Sequence, residues 1–379
     1  MKSVVIAGYL RSPFTQAKKG KLARVRPDEL IAQVVRGLVR KTGVKTEDIE
    51  DLILGCAFPE AEQGLNLGRI VGFLAELPLS VAGATVNRFC GSSMQAIHMA
   101  AGAIQMDAGE VFICGGIESM SRVPMPGFNF LPHPGLCQSF PQAYIFMGQT
   151  AENLARRYPI SRQEQEEFAV MSHKKAAAAQ ASGNHLAEII AIEHEGEKIE
   201  TDGCIRPDTS VEALAKLEPA FDKNGVVTAG TSAPLTDGAA AVLVCSEDYA
   251  KKNSLEMLAR IKSVAVSGAE PDVMGIGPVS ATRKALARAG LSLDKIDIVE
   301  LNEAFAVQVL ACVHELQIPL EKLNLEGGAL ALGHPLGASG ARITGKAAAL
   351  LKKRGGQYAL ATMCIGGGQG IATILEAIR

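Results

Sequence analysis

The chain has no tryptophan, and aromatic residues make up only 4% of its 379 positions. That scarcity argues against a surface built to stack nucleic-acid bases. Thirty-eight Lys and Arg against 40 Asp and Glu leave a formal net charge of -2, so no global field draws the chain to nucleic acid or an anionic membrane. A local basic patch for a phosphate-bearing ligand is compatible with that balance. No run approaches the roughly eighteen uninterrupted apolar residues of a membrane span. Eight cysteines, at 56, 90, 114, 137, 204, 245, 312 and 364, form no CxxC pair and no regular spacing. A zinc site or a disulfide framework is therefore disfavoured, and a reducing compartment fits better. The opening MKSVVIAGYLRSPF reads as a strand followed by a turn, with no signal-like segment before it, and the final LEAIR carries no organelle address. The expected location is the cytoplasm. With 47% hydrophobic and 21% charged residues, the composition is that of a globular protein of two or three domains.

What the chain does have is an internal repeat at an offset of 247 residues. GVKTEDIEDLILGCAF (43–58) lies over GLSLDKIDIVELNEAF (290–305) without a gap, with Gly43/Gly290, Ile49/Ile296, Leu54/Leu301, Ala57/Ala304 and Phe58/Phe305 identical. The same offset sets Cys90 over Gly337, Ser92 over Ser339 and Gly109 over Gly356. Each half alternates helix-like and strand-like segments. Residues 28–42 place Leu30, Val34, Val35 and Leu38 on one helical face, and DLILGCAF and EVFICGGIE are apolar runs of strand length. SSMQAIHMAAGAIQM reads as a buried helix, answered in the second half by SGARITGKAAALLKKRG, and YALATMCIGGG and GIATILEAI read as strands. This alternation predicts an α/β protein with substantial parallel sheet. Residues 119–228 break the pattern with a proline-rich loop, a helix over TAENLARRY and another begun by a capping box at Ser161 and Glu164, as an insertion that shapes or covers a site.

Three segments carry reactive side chains among glycines. Cys90, in VNRFCGSSMQA, stands at a strand-to-helix junction, where backbone N–H groups and the helix dipole favour a thiolate. His334, in GGALALGHPLGASG, is a natural base for a thiol, and Cys364, in ATMCIGGGQG, is a second thiol able to shuttle a proton. Each alone is equally readable as a core cysteine or a loop histidine. Asn302 and Glu303 end an apolar strand as helix caps or as site donors. The other six histidines lack a glycine-rich flank, and the triple glycine lacks the form of a phosphate loop.

Together VNRFCGSSMQA, GVVTAGTSAPLTDGAAA, NEAFA, GGALALGHPLGASGAR and MCIGGGQG resemble the thiolase family, in order and over essentially the whole chain. Within the family the resemblance is greatest to the bacterial 3-ketoacyl-CoA thiolases of fatty-acid β-oxidation. It implies two repeated α/β halves packed as a five-layer α-β-α-β-α body with a loop or lid insertion: residues 1–118 plus 229–250, the insertion 119–228, and 251–379. It implies thiolytic cleavage of a 3-oxoacyl-CoA by CoA, with Cys90 as the acylated nucleophile, His334 as its base and Cys364 as the acid/base for the leaving carbanion. Asn302, through a water, and His334 match one oxyanion hole; the N–H groups of Cys90 and Gly366 match a second. Arg206, Phe221, Ser232, Ala233, Met147, Met274 and Phe305 match positions that contact CoA or wall its pocket. Ala233 departs from the serine that often contacts pantetheine, with Ser232 one residue earlier. Phe146, before Met147, replaces a histidine of acetoacetyl-CoA-specific members, which disfavours the condensing acetoacetyl-CoA reaction. A non-catalytic acyl-CoA- or lipid-binding relative and a two-histidine ketosynthase are the other readings, and the retained Cys90, His334 and Cys364 speak against both. The resemblance implies no metal and no prosthetic group, CoA being a substrate. It also implies a homodimer or tetramer, or a pairing with the hydratase/dehydrogenase subunit of a β-oxidation complex.

Overall fold

The repeat read in the sequence is a repeat in space. A computed structural model describes residues 2–378. The first half runs β1 (Val4–Arg11), β2 (Thr15–Gln16), α1 (Pro27–Thr42), β3 (Asp51–Gly55), α2 (Leu67–Leu74), β4 (Ala82–Val86), α3 (Ser92–Gln105) and β5 (Val111–Ser119). There follow α4 (Pro134–Ser139), α5 (Met147–Arg157), α6 (Arg162–Ala181), β6 (Ile192–His194), β7 (Glu197–Ile199) and α7 (Val211–Leu214), before β8 (Thr236–Ser246) returns to the sheet and α8 (Glu247–Lys252) leaves it. The second half is β9 (Ala259–Gly268), α9 (Gly277–Ala289), β10 (Ile298–Leu301), α10 (Ala306–Leu316), α11 (Ala329–Leu332), α12 (Leu336–Arg354), β11 (Tyr358–Ile365) and β12 (Gln369–Glu376). At the 247-residue offset β3 lies over β10, β5 over β11 and α3 over α12. Helices α1 and α9 end in left-handed glycines at the equivalent positions, Gly43 (φ 66°) and Gly290 (φ 68°), where a side chain would be strained.

The fold is the expected layered α/β body, and two features of its sheet were not read from the sequence. It is one ten-stranded sheet, in the order β10-β11-β12-β9-β1-β8-β5-β3-β4, with β2 attached to β8. The halves join edge to edge because β1 pairs antiparallel with β9 through Val5–Arg260 and Ile6–Ala259. It is also mixed: β3–β4, β3–β5 and β10–β11 are parallel, whereas β8 and β12 each run antiparallel to both neighbours. The antiparallel strand after each parallel pair is the apolar run TDGAAAVLVCS in one half and GIATILEAI in the other.

Alternating side chains divide the core into layers. On β3, Leu52 and Leu54 face α1 and α2, while Ile53 faces inward with Met94 and Ile97 of α3 and Ile343 and Ala347 of α12. In the second half Leu301, Leu360 and Ile374 face α9 and α10. The insertion feeds these same cores: Phe168, Ala169 and Val170 of α6 join the outer layer of the second half, and Ile192 and Ile199 of the β6–β7 hairpin join that of the first. Helix α12 is buried along nearly its whole length in the middle.

That central seat depends on glycine. A Cβ on Gly337 would fall 2.8 Å from both Cys56 Cα and Ile117 O, one on Gly116 would strike the Gly337 carbonyl, and one on Gly340 would strike the backbone N of Met94. Glu118, 1% exposed, then fastens the helix: it accepts from the N–H of Gly337 (3.0 Å) and from those of Ala57 (2.8 Å) and Phe58 (3.2 Å). The Gly340→Ala substitution should push α12 off α3 and destabilise the fold by about 1–3 kcal/mol. Gly102→Ala on α3, where an added Cβ meets nothing within 4 Å, should leave stability unchanged or raise it. Paired thermal-unfolding curves check this, and equal midpoints for the two variants would contradict the close-approach account.

Candidate active site

The segment carrying Cys90 turns sharply from β4 into α3. Phe89 takes a left-handed backbone (φ 42°), uncommon for an aromatic residue. A local network holds it: Phe89 N–H donates to Asn87 Oδ1 (2.8 Å), Arg88 N–H to Ser92 Oγ (2.9 Å), and Ser92 Oγ–H to the Phe89 carbonyl (2.5 Å). Cys90 follows, buried just ahead of α3. The N–H groups of Gly366 and of Cys90 itself face its sulfur and favour a thiolate, but burial outweighs them and pushes the thiol up to about 12. This reverses the expectation that the helix start lowers the thiol's proton affinity: at this depth lost hydration exceeds what two N–H donors return.

Cys364, near the end of β11, is 1% exposed. Burial raises its thiol well above the usual range, and the adjacent Cys90 thiol raises it further, since a charge on one sulfur opposes a charge on the other. His334 precedes α12. Its N–H donates to Thr236 Oγ1 (3.0 Å), its Nδ1 lies 2.6 Å from Ser339 Oγ, and its Nε2 lies 3.4 Å from Asn302 Nδ2. Because Ser339 Oγ–H donates to the Pro335 carbonyl (3.4 Å), the hydroxyl accepts from His334 Nδ1–H, which leaves Nε2 as the lone-pair nitrogen. Burial, aided by the Arg342 cation, lowers the imidazole to about 3, so it is a neutral base at physiological pH. Asn302 is fully buried, and its Oδ1 makes no hydrogen bond to the protein.

Of these groups Cys90 lines a largely apolar cavity of about 420 Å³, whose wall also holds Leu336, Gly366 and Gly367 and Phe58, Phe89, Met125, Phe130, Leu136, Tyr144, Phe146 and Met147. The repeated phenylalanines flank the two thiols: Phe58 lines this cavity, while Phe305 packs in a buried cluster with Met274 and Cys364, to which Met147 adds its side chain. Phe221 sits edge-on to Phe305 with ring centroids 5.9 Å apart. Ser232 bridges the backbone of Phe305, and Ala233 N–H donates to the Ala304 carbonyl (3.0 Å). Arg206 lies farther out, in a small cavity of about 90 Å³ shared with Ser232, His173 and Cys204. Of the residues singled out in the sequence, Arg206, Ser232, Phe305, Cys364 and Cys90 are thus linked in series, with Phe221, Met274 and Met147 packed beside Phe305. Ser232 does not stand in simply for the missing serine at 233, because its hydroxyl donates to the Thr228 carbonyl (2.8 Å).

Two adjacent thiols, one of them on an apolar cavity and facing two N–H donors, and a buried neutral imidazole suit acyl transfer to sulfur coupled to proton transfer at carbon. Among the described residues no group of three or more His, Cys, Asp or Glu side chains is arranged to hold a metal ion. Sequence reading passed over Glu118, Ser339 and Thr236, which brace the site from behind, and the cavity wall from Met125 to Ile145. Only Ser339 left a signal, its place in the repeat opposite Ser92.

The chain belongs to the thiolase family: residues 4–248 match the model of the thiolase N-terminal domain and residues 255–377 that of the thiolase C-terminal domain. It is 48% identical to a 3-ketoacyl-CoA thiolase of Aeromonas salmonicida over 389 aligned positions spanning all of both chains. It is 49% identical to one of Shewanella loihica, covering 99% of this chain and all of that one. Its fold superposes on the crystal structure of human mitochondrial 3-ketoacyl-CoA thiolase with a TM-score of 0.92 at 38% identity, covering 100% of this chain and 99% of that one. The human enzyme in complex with CoA matches equally well, with 98% of its chain covered.

With the Cys90 thiol raised to about 12, its alkylation by iodoacetamide should keep accelerating above pH 9, where an ordinary thiol with a pKa of about 8.5 levels off. Mass spectrometry of the Cys90 peptide across a pH series checks this, and a plateau below pH 8 would contradict the burial argument.

Proposed function

We propose that the chain is a 3-ketoacyl-CoA thiolase acting in the degradative direction, converting a 3-oxoacyl-CoA and CoA into acetyl-CoA and an acyl-CoA two carbons shorter. The observation that carries the proposal is Cys90 on an apolar cavity with the Cys364 thiol beside it, in a chain that also pairs His334 with Asn302 and matches such enzymes over its full length.

In the first half-reaction His334 Nε2 takes the Cys90 proton as sulfur attacks the 3-keto carbon. The Cα–Cβ bond breaks, its electron pair remains on the acetyl-CoA carbon, and the Cys364 thiol protonates that carbon. In the second, the Cys364 thiolate takes the proton of the incoming CoA thiol. The CoA sulfur attacks the thioester, and Cys90 leaves as a thiolate that recovers its proton from His334. Because both partners rest neutral, no buried ion pair has to be kept in the waiting enzyme. In this reading the unpartnered Asn302 Oδ1 orders a water that serves, with His334, the thioester oxygen of the acetyl-CoA part as its carbanion forms. The N–H groups of Cys90 and Gly366 serve the 3-keto oxygen, which becomes the oxygen of the acyl-Cys90 thioester. Each donor is worth about 3 kcal/mol of barrier by comparison with other acyl-transfer sites.

Arg206 suits the nucleotide end of CoA, and Ser232, Ala233, Phe221, Met147, Met274 and Phe305 suit the pantetheine path. No metal or prosthetic group enters this scheme. The edge strand β4, part-exposed along its length, supports a homodimer or a larger assembly. No helix among the described residues is long and apolar enough to cross a membrane, and a cytoplasmic enzyme is the reading we favour.

Incubation with a 3-oxoacyl-CoA and no CoA should leave an acyl adduct on Cys90 by peptide mass spectrometry, and Cys90→Ala should abolish turnover with an unchanged melting curve. An adduct on another cysteine, with Cys90 unmodified, would overturn the assignment. Cys364→Ala should still accept an acyl group from an acyl-CoA while losing carbon–carbon cleavage, whereas His334→Ala should impair both. Equal loss of acylation in the two variants would contradict the division of roles.

A further inference from the structure

Arg88 lies two positions before Cys90, and the scheme above gives it no part. Its half-buried guanidinium reaches from the first half to the second: Nη1 donates to Gln369 Oε1 (2.7 Å) and Nε donates to Gln95 Oε1 (2.9 Å). Gln95 belongs to the first turn of α3, the helix that follows the nucleophile. Gln369 opens β12 directly after the Gly366–Gly368 turn, and its backbone pairs with Ile365 across that turn. One side chain therefore ties the helix beside the first N–H donor to the turn that carries the second. Among the described residues it makes the one hydrogen bond between a side chain of 87–95 and a side chain of 364–370.

Both segments need such a tie. Three consecutive glycines give the 366–368 turn wide conformational freedom, and Gly367 (φ 78°) and Gly368 (φ 81°) take left-handed backbones. On the other side Phe89 holds a sparsely populated conformation next to Cys90. An N–H pair stabilises a developing oxyanion only where its spacing is fixed before the reaction. The planar guanidinium, with Nε and Nη1 in one rigid fork, fixes two amide oxygens relative to each other, which an ammonium on a flexible stem does not.

We infer that Arg88, acting through Gln369, is a positioning residue that sets the spacing of the Cys90 and Gly366 N–H groups across the boundary between the halves. The inference rests on the donor roles proposed above but not on the identity of the acyl-CoA, and its test is built on that difference. The probe is p-nitrophenyl acetate, whose attack by Cys90 needs the oxyanion donors and no CoA site. The comparison is iodoacetamide, whose alkylation of the same sulfur needs no oxyanion stabilisation.

Arg88→Met and Gln369→Met should each lower the maximal rate of acylation by p-nitrophenyl acetate by roughly a hundredfold, with the half-saturating concentration unchanged. Alkylation by iodoacetamide, which loses only the part these N–H groups play in favouring the thiolate, should fall far less than acylation, by under about tenfold, and the double variant should be no slower than either single one. Arg88→Lys should recover only a small part of the rate. Acylation within about twofold of the wild type in either single variant would overturn the inference, and so would a parallel fall in acylation and alkylation. Gln369→Met lies on the opposite segment and carries the test even if Arg88→Met folds poorly. A wild type inert to 3-oxoacyl-CoA yet acylated by p-nitrophenyl acetate would refute the thiolase reading while the variant ratios still decide the brace.

Discussion

Everything at the site rests on how closely helix α12 approaches the first half of the molecule. The contact is backbone against backbone, Gly337 on Gly55, Cys56 and Ile117 and Gly340 on Met94, and it has room for no side chain. The helix carries His334 at its entrance, so the depth of this seat fixes where the imidazole stands relative to Cys90. Glu118 adds direction to proximity. Its carboxylate gathers N–H groups from both halves and so holds the start of α12 against the segment after β3. A buried carboxylate is costly unless its acceptor sites are filled, and here Gln63 Nε2 (2.9 Å) completes a shell begun by three backbone donors.

From that contact the chemistry follows by burial. Sulfur and imidazole both lose hydration, which lifts one proton affinity and lowers the other until both rest neutral. In the proposed scheme the charge separation of the reaction is then met by groups already in place around Asn302, Cys90 and Gly366, which need little reorganisation when charge appears. The second thiol belongs to the same design. Placed beside Cys90 in the same dry region, Cys364 holds its proton tightly, as the proposed protonation of a carbanion requires of it.

Much of this was legible in the sequence, because a duplicated fold leaves the same residues at a constant spacing. The 247-residue offset placed β10 over β3, β11 over β5 and α12 over α3, and it paired the two glycine caps. Cys90, His334 and Cys364 were visible because a reactive side chain recurs in three glycine-rich segments, although Gly337 and Gly340 after His334 turn out to serve the packing of α12. Contacts between segments distant in sequence were not legible. The β1–β9 pairing that makes one sheet of two rests on only two residue pairs. Helix α6, read as part of a covering insertion, buries Phe168, Ala169 and Val170 in the second half, which its own polar pattern hides. The direction of the Cys90 shift depends on depth of burial, and no local motif encodes depth. The aromatic wall from Met125 to Ile145 was likewise unreadable, because a proline-rich loop shows no periodicity from which to tell which side chains turn inward.

The account stands most directly on thiolysis measured across chain length, from acetoacetyl-CoA to 3-oxohexadecanoyl-CoA, with CoA in excess. An apolar cavity of about 420 Å³ beside Cys90 predicts acetyl-CoA release from a medium-chain 3-oxoacyl-CoA such as 3-oxodecanoyl-CoA. Its kcat/KM should exceed that for acetoacetyl-CoA by at least about tenfold, since several methylenes gain a buried wall. A higher kcat/KM for acetoacetyl-CoA than for every longer substrate would contradict it.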